Sequence, residues 1–320
     1  MAENVALVLV KPALEAAAYR VREYLRNTRS ESTYKAYASD WRDFERWCAR
    51  HGLDALPAAP QTVMLYLGEH GGAGKKLSTL TRRLAALAQV HRASGYESPS
   101  EHPAVRELLS GMRRTHLTAA RGKDALLDDD LRAIVGELDD FLRDIRDRAL
   151  LLIGFAGAFR RSELVAVQFE HVSHVSEGLV IFIPKSKSDQ AGQGREVAIP
   201  FGAHAETCPV HAFNRWIAKS KIEKGSIFRG ISRHGHISEQ ALTPTAVALL
   251  VKERATAAGL DPQKYAGHSL RAGFATSAAL GGSPEWAIMK QTGHRSRAML
   301  DRYVRPATRF RNNPVSYTGL

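Results

Sequence analysis

Apolar positions along the chain fall into helical registers from Ser30 onward. In "SESTYKAYASDWRDFERWCARHG", Tyr34, Tyr37, Trp41, Phe44 and Cys48 recur at spacings of 3, 4, 3 and 4. One helix face carries all five, and Gly52 stops the helix. These aromatics read as core, not as a base-stacking surface. A short helix over Gln61–Glu69 ends at His70-Gly71-Gly72. In "KKLSTLTRRLAALAQVHRASG" the stripe is Leu80, Leu84, Leu87 and Val90. Ser78 or Thr79 caps its start and Gly95 closes it. A fourth helix spans Ala104–Arg114. Residues 1–28 form a lead without a firm pattern, partly helical from Pro12.

The periodicity then breaks. "THLTAARGKDALLDDD" is polar and irregular, which predicts an interdomain linker over 117–125. Helices follow over Asp128–Glu137 and Arg143–Gly157. Two β-rich runs, Leu179–Pro184 and Glu196–Pro200, flank a polar loop and predict a hairpin. Helices resume over Val210–Lys219, Pro244–Ala258, Ser269–Leu280, Pro284–Gln291 and Ala298–Val304. The expected fold is mainly α with one small antiparallel β-sheet in the second domain. Its divisions are a lead (1–28), a helical domain (29–116), the linker (117–125) and a second domain (126–320).

Composition narrows the class. The chain has 320 residues, 44% of them hydrophobic, with a net charge of +12 and a pI of about 9.8. That length accommodates two domains with real cores. The positive excess points to a polyanionic partner, most often nucleic acid. It is shared equally, +6 on residues 1–122 and +6 on 123–320, so both halves are candidates for contact. Two distant cysteines, Cys48 and Cys208, suit a reducing, cytoplasmic setting without a disulfide framework. The apolar run Val5–Val10 is too short for a signal segment, and no stretch reaches membrane-spanning length.

Several motif look-alikes dissolve on inspection. "GGAGKK" (71–76) lacks the first glycine of a phosphate loop and has Lys76 where a hydroxyl would bind magnesium. "GQG" (192–194) has no third glycine and opens no helix. Asp128-Asp129-Asp130 sits at a helix start, where carboxylates cap and complement the dipole. "SRHGHIS" (232–238) holds two histidines but no partner cluster for zinc.

Chemistry concentrates in the second half. "GAFRRSEL" places Arg160, Arg161 and Glu163 at a turn between helices. Lys187 lies in the hairpin loop, with Lys185 nearby. "HSLRAGFAT" puts His268 and Arg271 one helical turn apart. "TGHRSRAMLDRYV" supplies His294 and, nine residues on, Tyr303. Each residue alone is ordinary. Together they form a kit for phosphodiester chemistry. Arginine forks grip non-bridging oxygens and stabilise the charge of a pentavalent transition state. A phenol is a nucleophile once its proton is taken, histidine moves protons near neutral pH, and lysine can protonate a departing oxygen.

The order Arg160, Lys187, His268-x-x-Arg271, His294, Tyr303 resembles the tyrosine recombinases of the phage integrase family. "GAFRRSEL" is similar to their first arginine motif, usually written with Gly-Leu-Arg. "HSLRAGFAT" is similar to their His-x-x-Arg box and "TGH" with its tyrosine to their C-terminal box. The resemblance implies a helical SAM-like core-binding domain and an α+β catalytic domain forming a clamp on DNA. It implies Arg160 and Arg271 on the scissile phosphate and Lys187, or its rival Lys185, as general acid. It implies His268 in proton transfer, His294 on the phosphate or buttressing the site, Glu163 in support and Tyr303 as nucleophile. Arg161 falls where the family has an apolar residue, so Arg160 is the expected arginine. No metal and no cofactor is implied, because a phosphotyrosine link conserves the bond energy. Implied partners are double-stranded DNA with a paired inverted-repeat site and a homotetramer exchanging strands through a Holliday junction. Accessory proteins and membranes are not implied. The tail after Tyr303 would dock on a neighbouring protomer. The short lead favours a simple target site without distant arms.

DNA contact in the first domain is expected from Lys75, Lys76, Arg82 and Arg83, at the basic start of a helix, and from Arg113 and Arg114. Two other functions compete: a type IB topoisomerase acting without a defined site, and a DNA-binding regulator that keeps the fold without catalysis. The complete set of six side chains argues against the second.

Overall fold

The computed structural model describes residues 14–26, 28–115, 123–184 and 192–307, with Val315 and Thr318 beyond them. Lys185, Lys187, most of the expected linker and most of the C-terminal tail lie outside the described residues. The chain divides into two compact units, Met1–Arg121 and Gly122–Leu320.

The first unit is helical: α1 (Glu15–Arg26), α2 (Glu31–His51), α3 (Pro60–Gly72), α4 (Leu77–Ala93) and α5 (Pro103–Thr115). The lead thus carries a helix of its own. Ser30 caps α2 by accepting the Thr33 N–H, and Gly52, at φ 65, ends it in the left-handed region that glycine tolerates. Trp41, Phe44 and Cys48 enter the core as the 3–4 spacing predicts, while Tyr34 and Tyr37 are only half-buried. Trp47 joins them, its indole N–H donating to Glu69 at 3.0 Å. The helix expected to stop at His70-Gly71-Gly72 runs through Gly72, and Gly74, at φ 77, makes the reversal. Lys76 is the N-cap of α4 and makes no side-chain cap bond, so Ser78 and Thr79 lie inside the first turn instead of capping it.

Arg83 requires a larger correction. It is buried on α4, where its guanidinium meets Asp43 at 2.7 Å and the Tyr66 hydroxyl at 2.7 Å. The Tyr66 hydroxyl in turn donates to Asp43 at 2.8 Å. A buried charge needs such partners, and this one serves the core of its unit, not an exposed DNA face.

The second unit opens with α6 (Asp128–Gly136), α7 (Leu142–Ala156) and α8 (Arg161–Ala166). An antiparallel sheet follows, β1 (Val172–Val175), β2 (Gly178–Ile183) and β3 (Arg195–Pro200). The expected hairpin is β2–β3, with Ile183 opposite Arg195 and Ile181 opposite Val197. Leu179, Ile181, Ile183, Val197 and Ile199 turn to the core. Beyond it come α9 (Pro209–Ser220), β4 (Arg229–Ile231), β5 (Ile237–Ala241), α10 (Pro244–Ala257), α11 (Ser269–Leu280), α12 (Glu285–Thr292) and α13 (Arg297–Ala307). Among the described residues there are therefore two sheets where one was expected. β1 and β5 are short and mostly exposed and the three residues of β4 are all half-buried, so they carry no burial alternation. "SRHGHIS" is the turn between β4 and β5, where Ser232 N–H donates to the His236 carbonyl at 2.9 Å. Among the described residues, no helix is long and apolar enough to cross a membrane.

α7 is buried nearly all round and packs against α9 and α11. Beside its apolar faces lies an ion network: Asp147, fully buried, binds Arg146 at 2.5 Å and Arg254 at 2.6 Å. α11 is pinned by contact with the chain entering the unit. Leu126 N–H donates to the Ser269 carbonyl at 3.0 Å, and Gly273 lies so close that a Cβ would sit 1.7 Å from the Leu126 carbonyl oxygen. Glycine is required there by the approach of backbone, not by φ. Gly273→Ala is expected to destabilise the chain by about 1–3 kcal/mol through forced backbone shift, read as a lower urea midpoint at unchanged slope.

Candidate active site

Four segments of the second unit converge, and each is shaped locally. α7 ends at Gly157, and Ala158 then takes φ 48, a left-handed conformation that a Cβ disfavours. The family motif usually has glycine at this place, and the backbone supplies the reason. This turn brings the Ala158 carbonyl to Arg271, whose Nη1 donates to it at 2.8 Å. Arg160 follows as N-cap of α8. Glu163, in the first turn, accepts the Arg160 backbone N–H at 3.0 Å and its Nη1 at 2.6 Å. Burial would raise the Glu163 carboxyl, but the Arg160 amide and guanidinium, with Arg195, outweigh it and hold it below its ordinary value. It stays an anion.

Arg271, on α11, is 1% exposed. Its Nη2 is buried and has no hydrogen-bond partner among the described residues. Burial, then the neighbouring Arg160, press its pKa down to about 10, so it remains a cation at neutral pH. A buried guanidinium nitrogen without a partner is costly unless an anion meets it.

His268 caps α11 one turn before Arg271, and its Nε2 lies 2.9 Å from the Tyr303 hydroxyl. Burial lowers its pKa first, and Arg271, Arg160 and Arg161 lower it further. His294 follows the left-handed Gly293 that ends α12. Thr292 Oγ1 donates to the Ile288 carbonyl at 2.7 Å, so its lone pair takes the His294 Nδ1–H at 2.8 Å. The His294 ring stacks on Tyr303, centroids 5.9 Å apart and planes at 21°. Burial, then Arg271, Arg160, His268 and Arg195, push its pKa down to about 4. Tyr303 is carried by α13, which seats Leu300 and Val304 against Ala275 and Ala279 of α11.

Arg160, Glu163, His268, Arg271, His294 and Tyr303 are thus brought together. Arg161 borders the group beside His268 but is exposed and turned elsewhere: its methylenes cover Gly267, and its Nη1 faces the Pro244 carbonyl at 3.4 Å. In the first unit Lys75, Lys76, Arg113 and Arg114 are exposed, and Arg82 is half-exposed and paired with Asp40 at 2.9 Å. Three contributors escaped the sequence reading. Arg195 opens β3, one residue ahead of the run read as Glu196–Pro200, where its charge at the strand's edge was a visible signal. Thr292 sets the His294 tautomer, and Ala158 supplies a carbonyl; neither type announces such a role.

A phenol hydrogen-bonded to an imidazole, beside two guanidiniums, one with an unmet nitrogen, can attack a phosphodiester and hold the charge that develops. The fold and this site define a class, the enzymes that transfer DNA strands through a tyrosine. A model described as phage integrase family matches residues 124–309, and one described as phage integrase, N-terminal SAM-like domain, matches 21–94. The chain is 39% identical over 306 residues to the integrase/recombinase xerD homolog of Selenomonas ruminantium, covering 94% of this chain and 89% of that one. It is 27% identical over 296 residues to recombinase cre of Escherichia phage P1, covering 86% and 84%. The solved structure of XerH site-specific recombinase bound to palindromic difH substrate shares the fold, with TM-score 0.59 and 17% identity over 94% of this chain and 83% of that one. The chain belongs to the phage integrase family: it is a tyrosine recombinase, an enzyme that cleaves and rejoins DNA.

The depressed histidines set a pH dependence. Unfolded His294 protonates near pH 6.5, whereas the folded ring resists until about 4. Between those values the unfolded chain binds the extra proton, so stability is complete above about pH 6.5 and falls as pH drops toward 4. Urea unfolding across that window should show the loss, and His294→Gln should flatten part of the slope.

Proposed function

We propose that Tyr303 attacks the scissile phosphodiester of a defined DNA site, forming a 3′-phosphotyrosine and releasing a 5′-hydroxyl. The observation that carries this reading is the 2.9 Å contact from the Tyr303 hydroxyl to His268 Nε2 beside the unmet Arg271 Nη2. His268 takes the phenol proton as the oxygen–phosphorus bond forms. Arg160 and Arg271 hold the non-bridging oxygens, and Glu163 keeps Arg160 in place. His294 braces the nucleophile through its stack on the Tyr303 ring. Lys187 donates the proton to the leaving 5′-oxygen. A 5′-hydroxyl from the partner strand then attacks the phosphotyrosine and frees Tyr303, so no water and no nucleotide is consumed.

In this reading 29–116 is the core-binding domain, 117–125 the linker and 126–320 the catalytic domain. Lys75, Lys76, Arg82, Arg113 and Arg114 contact DNA phosphates, which fix position without reading sequence. The working assembly is a homotetramer on two inverted-repeat sites, passing through a Holliday junction. The palindromic substrate of XerH supports the symmetry of the site. The reaction belongs in the cytoplasm, and on the nucleoid if the cell is prokaryotic.

Incubation with a nicked suicide substrate bearing the native site, in EDTA, should give a covalent protein–DNA adduct that Tyr303→Phe abolishes. Relaxation of any supercoiled plasmid would instead support topoisomerase action, and no adduct on the native target would leave a regulator. Lys187→Ala should slow cleavage by about 10²–10⁴-fold and recover on a 5′-bridging phosphorothiolate, whose thiolate leaves without a proton. Recovery confined to Lys185→Ala would transfer the role to Lys185.

A further inference from the structure

Arg195 touches two of the segments that frame the site, the turn and first residues of α8 and the end of α12, and the chemistry proposed above leaves it without a task. It stands at the first position of β3, opposite Ile183. Its Nη2 donates to Glu163 Oε2 at 3.3 Å and its Nη1 to the Gln291 carbonyl at 2.9 Å. Its guanidinium lies 6.0 Å from the centre of the Phe159 ring, next in sequence to Arg160. It also covers Gly293, where a Cβ would come within 3.2 Å of Nε. Its side chain is only 18% exposed.

A third guanidinium beside Arg160 and Arg271 adds to the repulsion in a site that is already cationic, and burying it costs more. Its two donor groups point in different directions, to two different segments. Glu163 is shared: one oxygen serves Arg160 Nη1, and the other serves the Arg160 backbone and Arg195. The Gln291 carbonyl belongs to the last turn of α12, three residues before His294. The Gln291 side chain adds a second brace, donating to the Ala198 carbonyl of β3 at 3.0 Å and the Ala156 carbonyl of α7 at 2.8 Å. The planar fork of arginine spans two acceptors at once, and the single ammonium of lysine does not.

We propose that Arg195 is a positioning residue for strand cleavage, locking Glu163, and through it Arg160, to the end of α12 that carries His294. The phosphate grip and the ring braced against Tyr303 are then held in one frame. Misplacement on the ångström scale costs on the order of 10²-fold in rate, which gives a selective reason for the buried charge.

The inference rests on Tyr303 as nucleophile, and one experiment separates the two. Single-turnover cleavage of the suicide substrate is measured at saturating protein for wild type, Arg195→Gln, Arg195→Lys, Glu163→Gln and the Arg195→Gln/Glu163→Gln double variant. DNA affinity and thermal melting are followed in parallel. We expect Arg195→Gln to cleave on the order of 10²-fold more slowly with unchanged DNA affinity and melting. Arg195→Lys should recover part of the rate, and the double variant should be little slower than Glu163→Gln, since neighbours in one network are not additive. A wild-type rate in Arg195→Gln overturns the proposal, as do weaker DNA binding at unchanged rate, a loss matched by early melting, or additive losses in the double variant. Absence of a Tyr303 adduct in the wild type strikes the reading of the nucleophile instead.

Discussion

A buried arginine sets the terms for the catalytic unit. Arg271 is almost wholly out of water, and one nitrogen of its guanidinium is met by the Ala158 carbonyl while another has no partner among the described residues. An interior charge of this kind is tolerated only where its surroundings are over-determined. The surroundings answer with a strained turn at Ala158, a shared carboxylate at Glu163 and an α11 clamped by Gly273 against Leu126. Each of these has a cost of its own. Together they hold in place a buried cation with one nitrogen unmet among the described residues, the nitrogen to which the proposed reading brings a phosphate oxygen.

The same cations shape the histidines. Ordinary imidazoles titrate near neutrality, but burial and the nearby guanidiniums favour the uncharged rings at His268 and His294. An uncharged ring at His268 is a proton acceptor beside the Tyr303 hydroxyl. An uncharged ring at His294, with its Nδ1–H spent on Thr292, is a flat surface for the Tyr303 ring. Besides the grip on phosphate proposed for them, the arginines thus keep the neighbouring imidazoles uncharged, each with a free lone pair.

The first unit shows how little net charge says about where charge is used. Both halves carry the same excess, yet Arg83 is consumed by Asp43 and Tyr66 inside the helical core, and Arg82 leans on Asp40. Lys75, Lys76, Arg113 and Arg114 remain exposed. Adjacent basic residues on one helix are not equivalent, because a 100° step takes one of them outward and the next inward.

Helix positions were legible because apolar spacing has a period that burial enforces. α2 is the clear case, with Trp41, Phe44 and Cys48 inward and Gly52 at the stop. The β2–β3 hairpin was legible for the same reason. β1, β4 and β5 were not, because strands with little buried face leave no alternation to read. The order of Arg160, His268, Arg271, His294 and Tyr303 singled out residues that the fold brings together. What only the tertiary structure decided is which atoms meet: Arg160 inside and Arg161 outside, Arg83 in the core, Thr292 setting a tautomer, and Arg195 bridging two distant segments. Those choices depend on distances between residues far apart in the chain, and no local pattern of residue types encodes a distance.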